Sequence, residues 1–389
     1  MKGKKSAMNT TGNRGRTTVL SLICLSITIV ILIAGLWPFN FRPKNQVTWL
    51  DGQNGIHFGR LGIAYSTDSV FGSREAIRPG GPVSIELVVR PAREPIYPLA
   101  RILTLYTEGS RQFFTLAQWK SHLILRADPQ GSKLQLKSRE ISARNVLLKN
   151  IPRFLTVTSQ NGKTIIYADG QMINETNNFP ILPTDSSASG KFVLGNSPTG
   201  KSPWTGDLLF LAAYDRELSA KEVLQHFQDW SVQRRLTWLS EKNPTLLYQF
   251  DEGKGTTSRN RRGDLYDLSI PTTYHVLKKA VFLPPWKEEF NRYFFQDVFV
   301  NISGFLPFGF FFAAWLRKEN GLPGKSDLWL VATLGGGTSF LIELLQIYLP
   351  SRTSQSTDVI CNLLGTILGV YLFRWILLFL RLEKGTGAR

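Results

Sequence analysis

The run LIELLQIYLPSRTSQSTDVICNLLG over residues 341–365 carries Glu343, Gln346, Arg352, Asp358 and Asn362. Glu343 and Gln346 are three positions apart and Asp358 and Asn362 four, so on helices each pair shares one face. Two carboxylates, two amides and a guanidinium in apolar sequence could grip a polar head group, move a proton, or lock helices to one another. In the catalytic case Glu343 is the candidate general base and Arg352 the cation that holds a phosphate or carboxylate. An ionised side chain in hydrocarbon costs several kcal/mol, so partners for these groups are expected.

The elements that must position them are apolar helices. Four runs, about 18–38, 298–316, 328–349 and 359–380, are each long enough to cross a hydrocarbon core of about 30 Å. Lys2, Lys4, Lys5, Arg14 and Arg16 precede the first run, Arg317, Lys318 and Lys325 separate the second from the third, and Arg381, Lys384 and Arg389 follow the fourth. Basic flanks stay in the cytoplasm. The expectation is a multi-pass protein of the cytoplasmic membrane, with 1–17 and 381–389 as cytoplasmic tails and the large segment after the first span outside. The first run is long and AGLWPFNF offers no A-x-A cleavage site, so it reads as a retained anchor.

Helical spacing gives each of the last three spans one small or polar face. Asp297, Asn301, Gly304 and Phe308 align in the second, Ala332, Gly336, Ser339, Glu343, Gln346 and Pro350 in the third, and Asp358, Asn362, Gly365 and Gly369 in the fourth. Gly304, Gly336, Gly365 and Gly369 would let backbones approach closely. The stripes are expected to meet with all polar members at the outer end, Arg352 serving as counter-ion to Glu343 or Asp358. Pro307 should bend the second span and free a carbonyl near the same layer.

The chain has 389 residues, 43% of them hydrophobic, with 46 Lys and Arg against 29 Asp and Glu. Residues 39–297 hold 33 of the basic and 24 of the acidic residues, net +9. No Lys/Arg run with interleaved aromatics marks a nucleic-acid surface. The partners expected are membrane lipid and an envelope glycan or lipid-linked sugar. Cys24 and Cys361 both lie in spans, so the exported segment has no disulfide and must rest on its own core.

That segment, 39–270, alternates apolar and polar residues in short runs broken by Gly, Pro, Asn and Asp. Residues 84–91, 100–107, 111–119, 122–128, 153–160, 163–170, 191–196 and 206–215 supply at least eight strands, and Asn161-Gly162 marks a tight hairpin. One helix is expected after Leu218, capped by Ser219, with Val223, Leu224, Phe227 and Trp230 on one stripe. Residues 271–297 mix aromatics, prolines and bases as an interfacial linker would. The fold class is a four-helix transmembrane bundle, 298–380 with the first span, plus an all-β jelly-roll sandwich inserted between spans one and two.

Within the sandwich, Asp169, Asn196 and Asp207 are loop positions that form turns or ligate calcium. No other cofactor or metal is expected, since His57, His122, His226 and His275 are scattered without ligand spacing. Sugar-cleaving chemistry needs two carboxylates about 5–5.5 Å or more apart across one bond. Glu86 stands alone in its strand, so a binding module or spacer is expected.

RFLTVTSQNGKTIIYADGQ, FVLGN and WTGDLLFLAAYDRELSAKEVLQHF resemble the second half of a laminin-G-like or concanavalin-A-like jelly roll, with 47–63 and 246–258 as its closing strands. The resemblance implies carbohydrate or protein binding. A second resemblance is to the VanZ family of bacterial membrane proteins. Its pattern N-x-x-G-F-x-P-F-G, E-x-x-Q-x-x-x-P-x-R and D-x-x-x-N-x-x-G-x-x-x-G is met by Asn301, Gly304, Phe305, Pro307, Phe308 and Gly309, by Glu343, Gln346, Pro350 and Arg352, and by Asp358, Asn362, Gly365 and Gly369. It implies a link to tolerance of the glycopeptide teicoplanin. Three readings follow: an envelope protein whose outer-leaflet pocket holds an amphiphile or lipid-linked head group, an intramembrane enzyme on a lipid-linked cell-wall intermediate, and a structural protein whose cluster only fixes helix packing.

Overall fold

The computed structural model describes residues 3–72, 74–95, 99–107, 112–128, 139–185, 189–233, 243–279, 281–287, 292–317 and 321–386. Lys2, Lys318 and Arg389 of the basic flanks lie outside them. The chain divides into a unit of residues 42–278 and a second unit formed by 1–41 with 279–389.

The first unit is a sandwich of two antiparallel sheets. One runs β1 (Val47–Trp49), β2 (Ile56–Phe58), β13 (Gly206–Tyr214), β4 (Val83–Pro91), β9 (Arg153–Gln160), β10 (Lys163–Ala168) and β11 (Gln171–Thr176), and β14 (Leu246–Tyr248) also pairs with β13. The other runs β15 (Thr257–Ser258), β16 (Leu268–Ser269), β3 (Ala64–Ser66), β12 (Gly190–Leu194), β5 (Ala100–Thr107), β6 (Gln112–Trp119), β7 (His122–Ala127) and β8 (Arg139–Ala143). Alternation dictates which side chains enter the core. In β4, Val83, Ile85, Leu87 and Val89 point into it, and in β9 Leu155 and Val157 do the same. Asn161 and Gly162 take the positive φ values of 51° and 78° that the β9–β10 hairpin needs.

All eight expected strands are present. The short β8 and β11 were not expected, because β11 lies largely exposed and lacks a clean alternation. Helix α2 (Ala220–Gln233) follows Leu218, and a reciprocal cap closes its start: Ser219 N donates to Glu222 Oε2 at 2.8 Å and Glu222 N donates to Ser219 Oγ at 3.3 Å. It covers the outer face of the first sheet over Val88, Phe154, Phe210 and Tyr214.

Residues 271–278 depart from the linker expectation. Asn45 N donates to Thr272 O, Tyr274 N donates to Pro43 O, and Tyr274 is buried beside Ile63 and Val193. Backbone pairing and one aromatic anchor tie this stretch into the sandwich.

The second unit contains α1 (Gly3–Leu36), α3 (Arg292–Leu316), α4 (Lys325–Gln346) and α5 (Ser356–Thr386). Each holds a stretch long and apolar enough to span a membrane. Helix α3 starts at Arg292, ahead of the apolar run, because helical hydrogen bonds continue where hydropathy has already fallen. Its partners show the directions: Gly365 and Gly369 of α5 face Ile302 and Leu306 of α3, so these two run parallel. Gly335 and Ser339 of α4 meet Thr366 and Asn362 of α5, so that pair is antiparallel. The C-termini of α1 and α4 and the N-termini of α3 and α5 therefore share one end of the bundle. Val19, Leu22, Val30, Trp329, Phe340 and Leu368 are exposed on its outside, as lipid-facing residues are.

Candidate functional site

The polar residues gather at that shared end. Glu343 is 1% exposed, and its Oε2 accepts the backbone N–H of Gln355 at 2.7 Å. Asn301 Nδ2 of α3 donates to Asp358 Oδ1 of α5 at 2.8 Å, and Asn362 Nδ2 donates to Ser339 Oγ of α4 at 2.8 Å. Gln346 Nε2 reaches across to Gly35 O of α1 at 2.9 Å. Glu343, Gln346, Asp358, Asn362 and Asn301 thus lie in one layer that touches all four helices. Among the described residues, Asn362 Oδ1 in this layer and Ser354 Oγ in the turn before α5 are buried polar atoms with no hydrogen-bond partner.

Arg352 is not the counter-ion. Its Nε donates to Trp37 O at 3.2 Å and an Nη2 proton goes to Ala34 O at 3.3 Å, so it caps the C-terminus of α1, where a cation meets the negative end of the helix dipole. The turn carrying Arg352 passes over α1, and those carbonyls have no acceptor-seeking neighbour within the helix itself.

The same end of the bundle holds a cation that sequence reasoning missed. Lys279 Nζ donates to Gln346 O at 2.6 Å and to Leu349 O, closing the end of α4. Burial pulls its amine down to about 8. Beyond it, Leu283 N donates to Ser354 O at 3.0 Å and Ser356 N to Leu283 O at 3.0 Å, while Phe282 stacks on Phe340. This strap lies against the segment that caps Glu343. A Lys-Lys pair beside aromatics was the available signal, and it read as interface sequence.

The remaining expected positions divide. Asp297 is exposed on the first turns of α3. A Cβ at Gly304 would meet nothing within 4 Å, so this glycine packs no helix, and one at Gly336 would make an ordinary 3.5 Å contact with Leu363. Pro307 is exposed and α3 continues through it as one helix. The tight contacts are made instead by Gly309, Gly365 and Gly369, where a Cβ would collide with the carbonyl oxygens of Thr366, Ile302 and Leu306, and by Gly335 against Thr366. Spacing picked the pressed glycines of α5, Gly365 and Gly369, and missed those of α3 and α4, where Gly309 and Gly335 are pressed in place of Gly304 and Gly336.

In the sandwich, Asp169 accepts from Phe154 N at 3.0 Å and pairs with Arg153. Asn196 Oδ1 accepts from Ser197 N and Ser202 N. Asp207 Oδ2 takes Arg90 Nε at 2.7 Å, and its Oδ1 lies 2.6 Å from His57 Nδ1. The three lie apart, each serving its own turn or cross-strand pair. Glu86 is fully buried under α2, where it accepts from Tyr214 OH at 2.9 Å and Thr156 Oγ1 at 3.2 Å and lies 3.0 Å from His226 Nδ1. Burial, with Glu86 beside it, pushes the Tyr214 hydroxyl far above its ordinary value. Glu86 and His226 are thus a buried, partnered pair, unavailable to a sugar.

Residues 244–379 match the VanZ/LLP1 family model, and residues 102–224 match that of the concanavalin A-like lectin/glucanases superfamily. The first match starts at the closing strands of the sandwich and ends within α5. No curated protein sequence matches the chain. Among solved structures it is similar to a SAP-like pentraxin from Limulus polyphemus, at 14% identity and a TM-score of 0.33, covering 47% of this chain and 79% of that one. It is also similar to a putative carbohydrate binding protein from Bacteroides ovatus ATCC 8483, at 14% identity and a TM-score of 0.38, covering 57% and 61%. The CBM40 of Ruminococcus gnavus IT-sialidase, bound to α2,3-sialyllactose, gives 14% and 0.34, covering 44% and 95%. At such scores no ligand is carried from them to this chain.

Proposed function

We propose that this multi-pass membrane protein, a VanZ-like helical domain joined to a concanavalin-A-like sandwich, holds the head group of an amphiphile or lipid-linked molecule at one end of its bundle. The basic flanks support a place in the bacterial cytoplasmic membrane with both termini inside. The sandwich is then extracytoplasmic, where it engages envelope glycan. Teicoplanin tolerance is the process the VanZ likeness suggests.

The observation that carries the reading is the pair of buried atoms unpartnered among the described residues, Asn362 Oδ1 in the layer of Glu343 and Asp358 and Ser354 Oγ in the turn before α5. A buried polar atom without a partner costs about 1–3 kcal/mol, which a ligand donor would recover. With Arg352 turned to α1, the layer is rich in acceptors and has no free fork for phosphate. Its complement is a head group that donates, through sugar or glycerol hydroxyls or an ammonium. Entry requires the Leu283–Gln355 bridge to part.

Native mass spectrometry of the full chain in nanodiscs tests this, using phosphatidylethanolamine, a galactosyl diacylglycerol and phosphatidylcholine, whose head group has no N–H or O–H donor. Retention of the first or second over the third, lost in Asn362→Leu, is the expected result. Equal retention of phosphatidylcholine refutes the proposal. A second reading, that the cluster only fixes helix packing, is favoured by Asn301–Asp358, Asn362–Ser339 and Gln346–Gly35 each joining two helices. Turnover of a polyprenyl-linked substrate, abolished by Glu343→Gln, would instead establish the catalytic alternative.

A further inference from the structure

We infer that a cleft of about 350 Å³ in the sandwich, lined by His57, Arg90, Ala92, Asn150 and Asp207, is a subsite for the carboxylate or phosphate of an acidic saccharide. The inference rests on the reading of the sandwich as a glycan-binding module and names the chemistry of the group it takes.

The strands build the cleft. Asp207 on β13 stands opposite His57 on β2 and opposite Arg90 on β4, so the three side chains line up across neighbouring strands. Arg90 shares the strand face of Glu86 and Val88, whose other end α2 covers. Past the reach of that helix the face is open.

Asp207 is the anchor and not the ligand-binding group. It is 8% exposed, its Oδ2 takes Arg90 Nε at 2.7 Å and Nη2 at 2.6 Å, and its Oδ1 faces His57 Nδ1 at 2.6 Å. These contacts satisfy the carboxylate and hold the guanidinium plane in place. An arginine carries five N–H donors. Asp207 engages the Nε edge, which leaves the Nη1 edge of Arg90 without a partner among the described residues. That edge is the planar fork that grips carboxylate or phosphate by two parallel hydrogen bonds.

Asn150 completes the donor set. Its backbone sits at a φ of 60° with its N–H donated to Pro91 O at 2.7 Å, which fixes the residue at the rim while its side chain stays exposed. No Trp, Tyr or Phe lines the cleft among the described residues. Neutral pyranoses are held largely by packing their apolar faces on such rings. A fixed fork, a side-chain amide and no stacking ring select a compact anion. The net +9 of residues 39–297 attracts one from a distance.

The test is calorimetric titration of the detergent-solubilised full chain with a hexuronate trisaccharide, glucose 6-phosphate, inorganic phosphate and a neutral trisaccharide. Asn150→Asp keeps size and tolerance of positive φ while adding repulsion, so it leaves thermal unfolding unchanged and weakens the acidic saccharide at least tenfold. Arg90→Lys keeps the charge, loses the fork, and weakens binding by a similar factor. Binding of the acidic saccharide unaltered in both variants overturns the subsite, as does equal affinity for the neutral trisaccharide. Inorganic phosphate alone binding as tightly as either acidic saccharide overturns the assignment to a saccharide. If saccharides bind with no effect of either variant, the subsite falls and the glycan-binding reading stands; if none binds, both fall.

Discussion

Replacing Glu343 separates a head-group site from a packing lock. The carboxylate is buried and Oε2 accepts the Gln355 N–H at 2.7 Å. A hydrogen bond to a charged group contributes about 1.5–3 kcal/mol net and a neutral one about 0.5–1.5. Glu343→Gln keeps the acceptor and gives up about 1 kcal/mol, part of which returns because a buried charge no longer needs desolvation. Glu343→Leu removes the acceptor and strands the N–H, at about 1–3 kcal/mol. Unfolding of the detergent-purified variants should therefore rank wild type and Gln together, with Leu clearly lower. Membrane accumulation of Glu343→Gln should match wild type while teicoplanin tolerance falls. The reasoning is refuted if Glu343→Gln unfolds as readily as Glu343→Leu and tolerance merely tracks protein level.

Three other predictions follow from the packing. Gly369→Ala, which would drive a methyl into Leu306 O, should cost about 1–3 kcal/mol in the same unfolding assay, whereas Gly304→Ala, which meets open space, should cost nothing measurable. Tyr214→Phe should lower the thermal stability of the full chain by about 1–3 kcal/mol, because buried Glu86 loses a donor at 2.9 Å. For Lys279, the native amine titrates near 8 and the unfolded one near 10.5, so the unfolded chain binds more protons in that window and stability rises with pH across it. The rise should be present in wild type and absent from Lys279→Met, so that it remains in the difference between the two, measured by thermal unfolding from pH 7 to 11.

Much of this was legible in the sequence because two periodicities dominate it. Alternation gave the strands and the helical repeat gave the stripes of α4 and α5, including the placement of Glu343, Gln346 and Asn362 in one layer. Periodicity fixes a face and not a distance, which is why Gly304 and Gly336 were chosen where Gly309 and Gly335 are pressed. Charge partners were harder. Arg352 is close to Glu343 in sequence, yet helix-end carbonyls from α1, more than 300 positions away, claim it. Lys279 reaches the end of α4 across 67 and 70 positions, and Asp207 meets His57 and Arg90 only because the sheet order is not the sequence order.

The most direct measurement is lipid mass spectrometry on the purified chain, comparing wild type with Glu343→Gln at equal protein. A donor-bearing lipid or glycolipid that co-purifies with wild type and is missing from the variant is the predicted result. The same lipid profile in both would contradict the head-group site.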